Sequence, residues 1–390
     1  MDADTPTRRS RLLWLLMPLS LLVAAIAWFV ITDPLQGFGS DAPAVENLTF
    51  ERTVLDDEGL HLLVRAGGSE PMTIAQVQVD AAYWRFTQTP EGEIARGSAV
   101  WLDLPFPWML GEAHVVTVVS NFGTTFEHEI EVAVPTPKVT ASQLRAQALI
   151  GFFVGVLPIV FGLMFYPVLR DVGRDGMNFL LALTVGLLVF LLIDTVGEAF
   201  ELAADAAAIF QGPVMVVLAG ITSFFILMAV GQRGGAPSGM SLATFIALGI
   251  GLHNFGEGLA IGAAFAAGSA GLGTYLILGF TLHNITEGIG IAAPILKKRP
   301  PLLAFAGLAL LAGGPAVIGM WMGSLAFSAH WAAFALAIGA GAIFQVVIQV
   351  GAYLMRRNDT GIEVFYTRAV MAGLAVGVIF MYATAALVKI

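Results

Sequence analysis

Eight long apolar segments with short connections occupy the chain from residue 146 to residue 388. A helix of about 20 apolar residues crosses the hydrocarbon layer, and only helices or closed barrels can span lipid. The composition agrees, because 57% of the residues are hydrophobic and only 12% are charged. We therefore predict an all-α polytopic membrane bundle of eight transmembrane helices over residues 141–390. The segments run over residues 146–168, 178–199, 213–232, 240–267, 272–296, 301–325, 331–355 and 367–388.

A further apolar run, Leu12–Ile31, follows a polar N-terminus that carries three arginines. Its length and basic flank predict a transmembrane anchor over residues 1–32 with a cytoplasmic N-terminus. A cleaved signal peptide is the alternative, because Ala25-Ile26-Ala27 is similar to a cleavage site for signal peptidase. The apolar run continues to Ile31, which favours the anchor.

Residues 33–140 have the composition of a soluble domain, with most of the charges and many turn-forming residues. Short β-branched stretches, several alternating with a period of two, are bounded there by Gly, Pro, Asp or Asn. We predict a small extracytoplasmic immunoglobulin-like β-sandwich. Five strands can be placed: Leu60–Val64, Thr73–Val79, Ala99–Leu104, His114–Ser120 and Phe126–Val134.

The basic residues of the bundle occur in every second loop. Cytoplasmic loops are enriched in Lys and Arg, so this alternation assigns those loops to the cytoplasm. The β domain and the C-terminus then lie outside, which agrees with the anchor starting inside. We predict a multi-pass protein of the cell (inner) membrane. The basic residues are Arg170, Arg174, Arg233, Lys297, Lys298, Arg299, Arg356, Arg357 and Arg368.

Two copies of one polar motif lie inside apolar segments. The fourth segment contains His-Asn-Phe-Gly-Glu-Gly from residue 253, and the fifth contains His-Asn-Ile-Thr-Glu-Gly from residue 283. Insertion of an ionisable side chain into the membrane costs about 2.5–3.5 kcal/mol, so such residues inside a span indicate a functional role. In a helix, residues i and i+4 share a face, which pairs His253 with Glu257 and His283 with Glu287.

The turn near residue 270 sets the depth of the two motifs. In an antiparallel hairpin Glu257 is level with His283, and His253 is level with Glu287. Both layers lie roughly 20–25 Å from the turn at 1.5 Å per residue, which is near the middle of the membrane. Asn254 and Asn284 flank the same faces. We therefore predict two adjacent layers, each with one imidazole and one carboxylate, able to hold one metal ion or two bridged ions.

The ligand types restrict the metal. The chain contains no cysteine, so nitrogen, oxygen or thioether sulfur must coordinate it. Imidazole with carboxylate and amide oxygen suits Zn²⁺ first, and also Fe²⁺, Mn²⁺, Co²⁺ or Cd²⁺. A structural role is the alternative, in which the polar groups hydrogen-bond between helices. Two identically spaced motifs at matched depth favour a metal site over this structural role.

Two further polar positions accompany the motifs. Asp194 and Glu198 lie four residues apart in the second segment, between the middle of the membrane and its outer surface, and could meet an arriving cation. A helix-end acidic patch is the alternative. Gln349 in the seventh segment is also polar, and an interhelical hydrogen bond would explain it. The remaining histidines are expected in core or surface roles: His61, His114, His128 and His330.

The two motifs resemble the fourth and fifth helices of the ZIP (zinc/iron-regulated transporter-like) family, and the resemblance covers about residues 145–390. It implies eight helices with both ends outside, divalent metal as the transported substrate, transport towards the cytoplasm and possible homodimers. It implies one metal position at His253, Glu257, His283 and Glu287. At a second position, Asn254 and Asn284 would join the shared glutamates.

The chain departs from the family pattern at several positions. Gly256 and Thr286 replace the usual prolines, so a distortion of the helices at the site is less assured. Asp194 stands at a histidine position, with Glu198 matching the glutamate of that stretch. Gln349 stands near a usual glutamate, which would weaken or remove the second metal position.

Three functions are compatible with these features. A metal transporter is favoured, and the absence of a P-loop indicates transport driven by a gradient. An intramembrane metal-dependent hydrolase is the enzyme alternative, although no third histidine or catalytic serine on a separate helix supports it. An extracellular binding module would leave the doubled motif without a purpose. No basic patch with interleaved aromatic residues indicates a nucleic-acid partner.

Overall fold

A computed structural model of the chain describes residues 8–32, 45–136, 140–266, 270–325, 328–358 and 361–388. The chain divides into two compact units, Met1–Val45 and Glu46–Ile390. The first unit contains helix α1 (Arg8–Thr32), which confirms a helix at the predicted anchor. Its apolar side chains, such as Trp14, Leu22 and Phe29, are exposed, as a helix in contact with lipid requires.

The second unit begins with eight strands that form two four-stranded antiparallel sheets, β1-β2-β6-β5 and β4-β3-β7-β8. All five predicted strands are found, although the last ends at Ile130 rather than Val134. Strands β1, β4 and β5 were not placed by the sequence. The strands are β1 (Leu48–Asp56), β2 (Gly59–Ala66), β3 (Ile74–Val79), β4 (Ala82–Trp84), β5 (Thr87–Thr89), β6 (Ala99–Leu104), β7 (His114–Ser120) and β8 (Thr125–Ile130).

The two sheets form a sandwich because alternate residues of both sheets share one core. Leu62 on β2 and Leu102 on β6 are fully buried on one side of it, and Val77 on β3 and Val118 on β7 on the other. This alternation is the period-two pattern that the sequence shows.

His61 is held between two carboxylates in the first sheet. Its Nδ1 lies 2.6 Å from Asp103 and its Nε2 lies 3.2 Å from Asp56. Burial alone would lower the pKa of His61, but the bonds to Asp103 and Asp56 outweigh it and raise the pKa. The protonated imidazole therefore stabilises the sandwich.

The resulting pH dependence can be tested. The stabilisation is complete below the unfolded pKa of about 6.5 and is lost as pH rises through the higher folded pKa. We expect the sandwich to lose about 1 kcal/mol over this rise. Hydrogen–deuterium exchange of β2 and β6 should show the loss in the native chain and not in His61→Gln. Equal losses in both would contradict the assignment.

The rest of the second unit is a helical bundle. Eight of its described helical segments are long and apolar enough to cross a membrane, which confirms the predicted polytopic arrangement. The helices are α2 (Ala141–Gly151), α3 (Leu157–Met164), α4 (Tyr166–Leu169), α5 (Arg174–Asp205), α6 (Gly212–Gly231), α7 (Met240–Ala266), α8 (Ala270–Ala292), α9 (Leu302–Gly313), α10 (Pro315–Leu325), α11 (Ala329–Asn358) and α12 (Arg368–Val388).

The first and sixth spans are irregular. A five-residue π-helical stretch, Phe152–Val156, joins α2 to α3. Pro315 begins α10 directly after α9 ends at Gly313 and Gly314, because proline cannot donate the next backbone hydrogen bond. Both irregularities leave backbone carbonyls without their regular helical partners.

The loops with basic residues meet at one end of the bundle. Lys297 donates to the carbonyl of Arg170 at 3.1 Å, and Arg174 donates to Asn358 at 3.1 Å. This grouping agrees with the predicted alternation of loops. The assignment of that end to the cytoplasm stays a prediction.

The closest glycine contacts bring helix backbones together within two groups, the first formed by α3, α7, α8, α9 and α10 and the second by α5, α6, α11 and α12. In the first group, a Cβ at Gly258 of α7 would overlap the carbonyl of Ala316 on α10, and one at Gly319 of α10 would overlap the carbonyl of Phe255. Similar contacts join α3 to α8 in the first group, and α5 to α12 and α6 to α11 in the second. These contacts involve Gly162 and Ile285, Gly186 and Leu374, and Gly341 and Gly220.

The sandwich contacts the bundle at the end opposite the basic loops. Arg52 on β1 donates to the carbonyl of Leu325 at the end of α10, at 2.9 Å. The guanidinium of Arg65 on β2 lies 5.2 Å from the ring centre of Phe210 in the α5–α6 connection. Phe210 in turn stacks on His330 of α11, with ring centres 3.9 Å apart. The sandwich therefore contacts the ends of both helix groups.

Candidate metal centre

The two motifs meet in the interior of the bundle. Helices α7 and α8 both continue as α-helix through their motifs, as expected where Gly and Thr replace Pro. His253, Glu257, His283 and Glu287 are all buried, with at most 6% of each residue exposed. The ring centres of the two histidines lie 6.4 Å apart. The predicted convergence of the motifs is therefore present.

Glu257 is the most connected group. Its Oε1 lies 2.5 Å from Nε2 of His283 and 3.3 Å from Nε2 of His253. Its Oε2 accepts a hydrogen bond of 3.2 Å from the amide of Asn284. One carboxylate thus contacts both imidazoles and the amide of the second motif.

Glu287 is much less engaged. Among the described residues, its Oε2 accepts only a long hydrogen bond, 3.5 Å, from the amide of Asn254, and its Oε1 is buried without a hydrogen-bond partner. His253, His283 and Glu287 each place one potential ligand atom within 4.8 Å of the others. The second carboxylate is therefore free to coordinate a cation beside the two imidazoles.

The two asparagines are held by the irregular spans. Asn284 donates to the carbonyl of Val154 at 3.0 Å, and Asn254 donates to the carbonyl of Ala312 at 3.0 Å. Val154 lies in the π-helical stretch, and Ala312 lies at the end of α9. The helix distortion at the site thus lies in the neighbouring helices and not in the motif helices. The carbonyls of Val154 and Ala312 orient both side-chain amides, because the amide nitrogens donate hydrogen bonds to them.

Four buried nitrogen and oxygen atoms of the centre have no hydrogen-bond partner among the described residues. They are Nε2 of His253, Oδ1 of Asn254, Oδ1 of Asn284 and Oε1 of Glu287. Nε2 of His253 approaches Glu257, but at 3.3 Å without hydrogen-bond geometry. A buried polar atom without a partner costs about 1–3 kcal/mol. Unpaired polar atoms beside two buried carboxylates fit a cation, whose charge would offset that of the carboxylates.

Thr195 on α5 is a residue of the centre that the sequence did not identify. Its hydroxyl lies 2.8 Å from Nδ1 of His253, and Thr195 is fully buried. If Nδ1 of His253 donates to the hydroxyl, Nε2 carries the lone pair that a metal needs. The sequence feature that could have indicated Thr195 is a hydroxyl inside an apolar span, between Asp194 and Glu198.

Removal of the Thr195 hydroxyl should weaken metal binding. Thr195→Val keeps the shape of the side chain but leaves Nδ1 of His253 unpaired. Loss of such a partner lowers metal affinity roughly 10–100-fold, which isothermal titration of the purified protein with Zn²⁺ can measure. Thr184→Val is the matched control, because Thr184 lies on the same helix and bonds to Leu180 of its own backbone. Equal affinities of the two variants would refute the positioning role.

Asp194 and Glu198 differ in their surroundings. Asp194 is exposed on the bundle surface, whereas Glu198 is partly buried and lies within electrostatic range of His253 and Glu257. The helix turns Thr195 towards the centre, with Glu198 near it and Asp194 further out. The structure therefore brings Glu198 close to the centre and leaves Asp194 at its periphery.

Gln349 lies away from the centre. The backbone of His253 faces Gly339 on α11, and Gln349 is ten residues, or about 15 Å, further along that helix. Its amide lies beside Gly231 and Phe245. Gln349 is buried, and within the described part of the chain neither its oxygen nor its nitrogen has a hydrogen-bond partner. The structure thus does not bring Gln349 together with the two motifs.

No protein-family model matches the chain, and no characterised protein matches its sequence significantly.

Proposed function

We propose that this multi-pass membrane protein transports divalent metal cations of the zinc, iron or manganese class through the centre between α7 and α8. The observation that carries the proposal is the buried group of His253, His283 and Glu287, whose potential ligand atoms lie within 4.8 Å of one another. Imidazole nitrogen with carboxylate and amide oxygen favours Zn²⁺ first. The cation is the transported substrate, and no catalytic role is proposed.

The position of the centre supports transport rather than permanent binding. The motifs lie near the middle of helices that span the membrane, on faces that pack within the bundle. A site at that depth is typical of transporters that open to one side at a time. By the resemblance to the ZIP family, we propose movement towards the cytoplasm across the cell membrane, and assembly as a homodimer.

The proposal can be tested with purified protein. Elemental analysis should identify the bound metal, and proteoliposomes loaded with a metal-sensitive dye should report its uptake. We expect saturable uptake that empty liposomes lack. Absence of flux for Zn²⁺, Fe²⁺, Mn²⁺, Co²⁺ and Cd²⁺ would overturn the proposal. Metal-dependent cleavage of amide or ester bonds without flux would instead indicate a hydrolase.

A further inference from the structure

We propose that water enters the bundle around Gln345 and Gln349 of α11, and that their side-chain amides line the inner part of the path by which the cation leaves the centre. This inference deepens the proposed function and rests on it for the passage of a cation. Only 1% of Gln345 and 4% of Gln349 is exposed. The two residues are four apart and therefore share one face of the helix.

The two amides are buried without the partners that a structural role requires. Nε2 of Gln345 and both Nε2 and Oε1 of Gln349 have no hydrogen-bond partner among the described residues. A buried polar atom in this state destabilises a fold, whereas a glutamine that joins two spanning helices bonds across them. The neighbouring part of α6, residues 224–231, has only apolar side chains, so a change of rotamer would not pair the amides with it. Unpaired amides instead fit contact with water.

The amide of Gln349 lies where the two glycine-packed groups of helices meet. A Cβ at Gly231, the last residue of α6, would contact both Nε2 of Gln349 and the ring of Phe245 on α7. On the adjacent face of α11, Val346 packs on Gly249 of α7. Helices α6 and α11 belong to the second group, and α7 belongs to the first. A displacement of one group against the other would therefore open this boundary to water.

The two amides lie between the centre and the basic loops. Gly339 of α11 faces the backbone of His253. Gln345 is six residues further along α11, or about 9 Å, and Gln349 is ten residues further, or about 15 Å. The helix ends at Asn358, about 13 Å beyond Gln349. The amides thus form two successive steps between the centre and the end of the bundle that is predicted to be cytoplasmic.

Amides are suited to the passage of a cation rather than to its retention. Their oxygens can replace water molecules around a divalent ion, but they carry no charge and so attract it less than Glu257 or Glu287 does. Conduction requires groups that bind well enough to admit an ion and weakly enough to release it. Gln345 and Gln349 meet this requirement on the inner side of a centre that contains two carboxylates.

The access of water can be tested by thiol labelling, because the chain contains no cysteine and one introduced thiol can be followed in the full-length protein. Gln345→Cys and Gln349→Cys should react with a positively charged methanethiosulfonate reagent, since the reactive thiolate forms where water reaches the sulfur. Mass spectrometry of purified protein in detergent measures the rate. Absence of reaction at both positions would overturn the proposal.

Leu354→Cys is the matched control for labelling. Leu354 is fully buried in the core of the bundle, nearer to the end of α11 and about 140° around the helix from Gln349. It should react roughly 10-fold more slowly or less, because a core position is exposed only when the bundle itself opens. Equal rates at Leu354 and the two glutamine positions would indicate general loosening and would also refute the path.

Gln345→Leu with Gln349→Leu distinguishes a path from a structural bond. Leucine removes the unpaired atoms, so the bundle should melt at the same or a higher temperature, and Zn²⁺ affinity measured by isothermal titration should be unchanged. Maximal uptake should fall roughly 10-fold, because the path loses its polar lining. Gln345→Met with Gln349→Met provides a second pair if the first fails to fold. A lower melting temperature with native uptake would establish a structural role instead.

Failure of this inference can be told apart from failure of the proposed function. Thiol labelling and melting temperature do not depend on transport. If the native chain showed no uptake of any divalent metal, the transport function would be wrong, and labelling would still decide whether water reaches Gln345 and Gln349. If the native chain transported Zn²⁺ and the leucine pair did so equally well, the path alone would be wrong.

Discussion

Glu257→Gln should lower metal affinity and uptake by at least about 100-fold. Glu257 contacts both histidines and Asn284, so the substitution removes a charge on which the whole centre converges. Loss of a group that only supports a ligand costs about 10–100-fold in affinity, and loss of Glu257, a ligand in the proposed function, should cost at least as much. Glutamine keeps nearly the same volume, which limits the change in packing. Zn²⁺ uptake into proteoliposomes measures the effect.

A matched substitution separates this effect from a general loss of charge. Glu363→Gln removes the same carboxylate from an exposed position between α11 and α12, and uptake should remain at the native level. Glu287→Gln should reduce uptake as Glu257→Gln does, although its carboxylate has fewer protein partners. Native uptake in Glu257→Gln would eliminate the centre as the transport site.

Gly258→Ala should destabilise the bundle by about 2–3 kcal/mol, a large effect for one methyl group. The added Cβ would overlap the backbone carbonyl of Ala316, which cannot move without displacing α10. Because Gly258 follows Glu257, the same displacement should disturb the centre. Thermal unfolding in detergent, read by tryptophan fluorescence, should show a lower melting temperature.

Gly307→Ala is the control for this glycine. It lies in α9, is exposed, and has open space where the Cβ would be. Alanine is favoured over glycine in a helix by about 1 kcal/mol, so this variant should be as stable as the native chain or more stable. If both variants melted alike, close packing between α7 and α10 would not be the cause.

Much of the fold could be predicted because the relevant signals are local. Hydrophobic length marks the spanning helices, and alternation marks strands such as β2 and β6. Strand β1 was missed because Glu51 and Arg52 interrupt its apolar residues, and both find partners only in the folded chain. The break between α9 and α10 was also not predicted, although the sequence Gly313-Gly314-Pro315 is typical of a helix end.

The centre was predicted in part for a similar reason. The i, i+4 spacing and the matched depth place the two motifs on one hairpin, so their convergence follows from helix geometry. Thr195 and the carbonyls of Val154 and Ala312 come from other helices, whose rotation the sequence does not define. Gln349 was assigned from resemblance, and its depth depends on the register of α11 against α7.

The hydrogen bond between Thr195 and His253 joins helices that belong to different glycine-packed groups. Helix α5 packs closely on α12, whereas α7 packs closely on α10. In the proposed transport, a sliding motion of one group past the other would break this bond in each cycle. Without this bond the tautomer of His253 is no longer fixed. The affinity of the centre for the cation would then differ between uptake and release, although the same side chains would bind it.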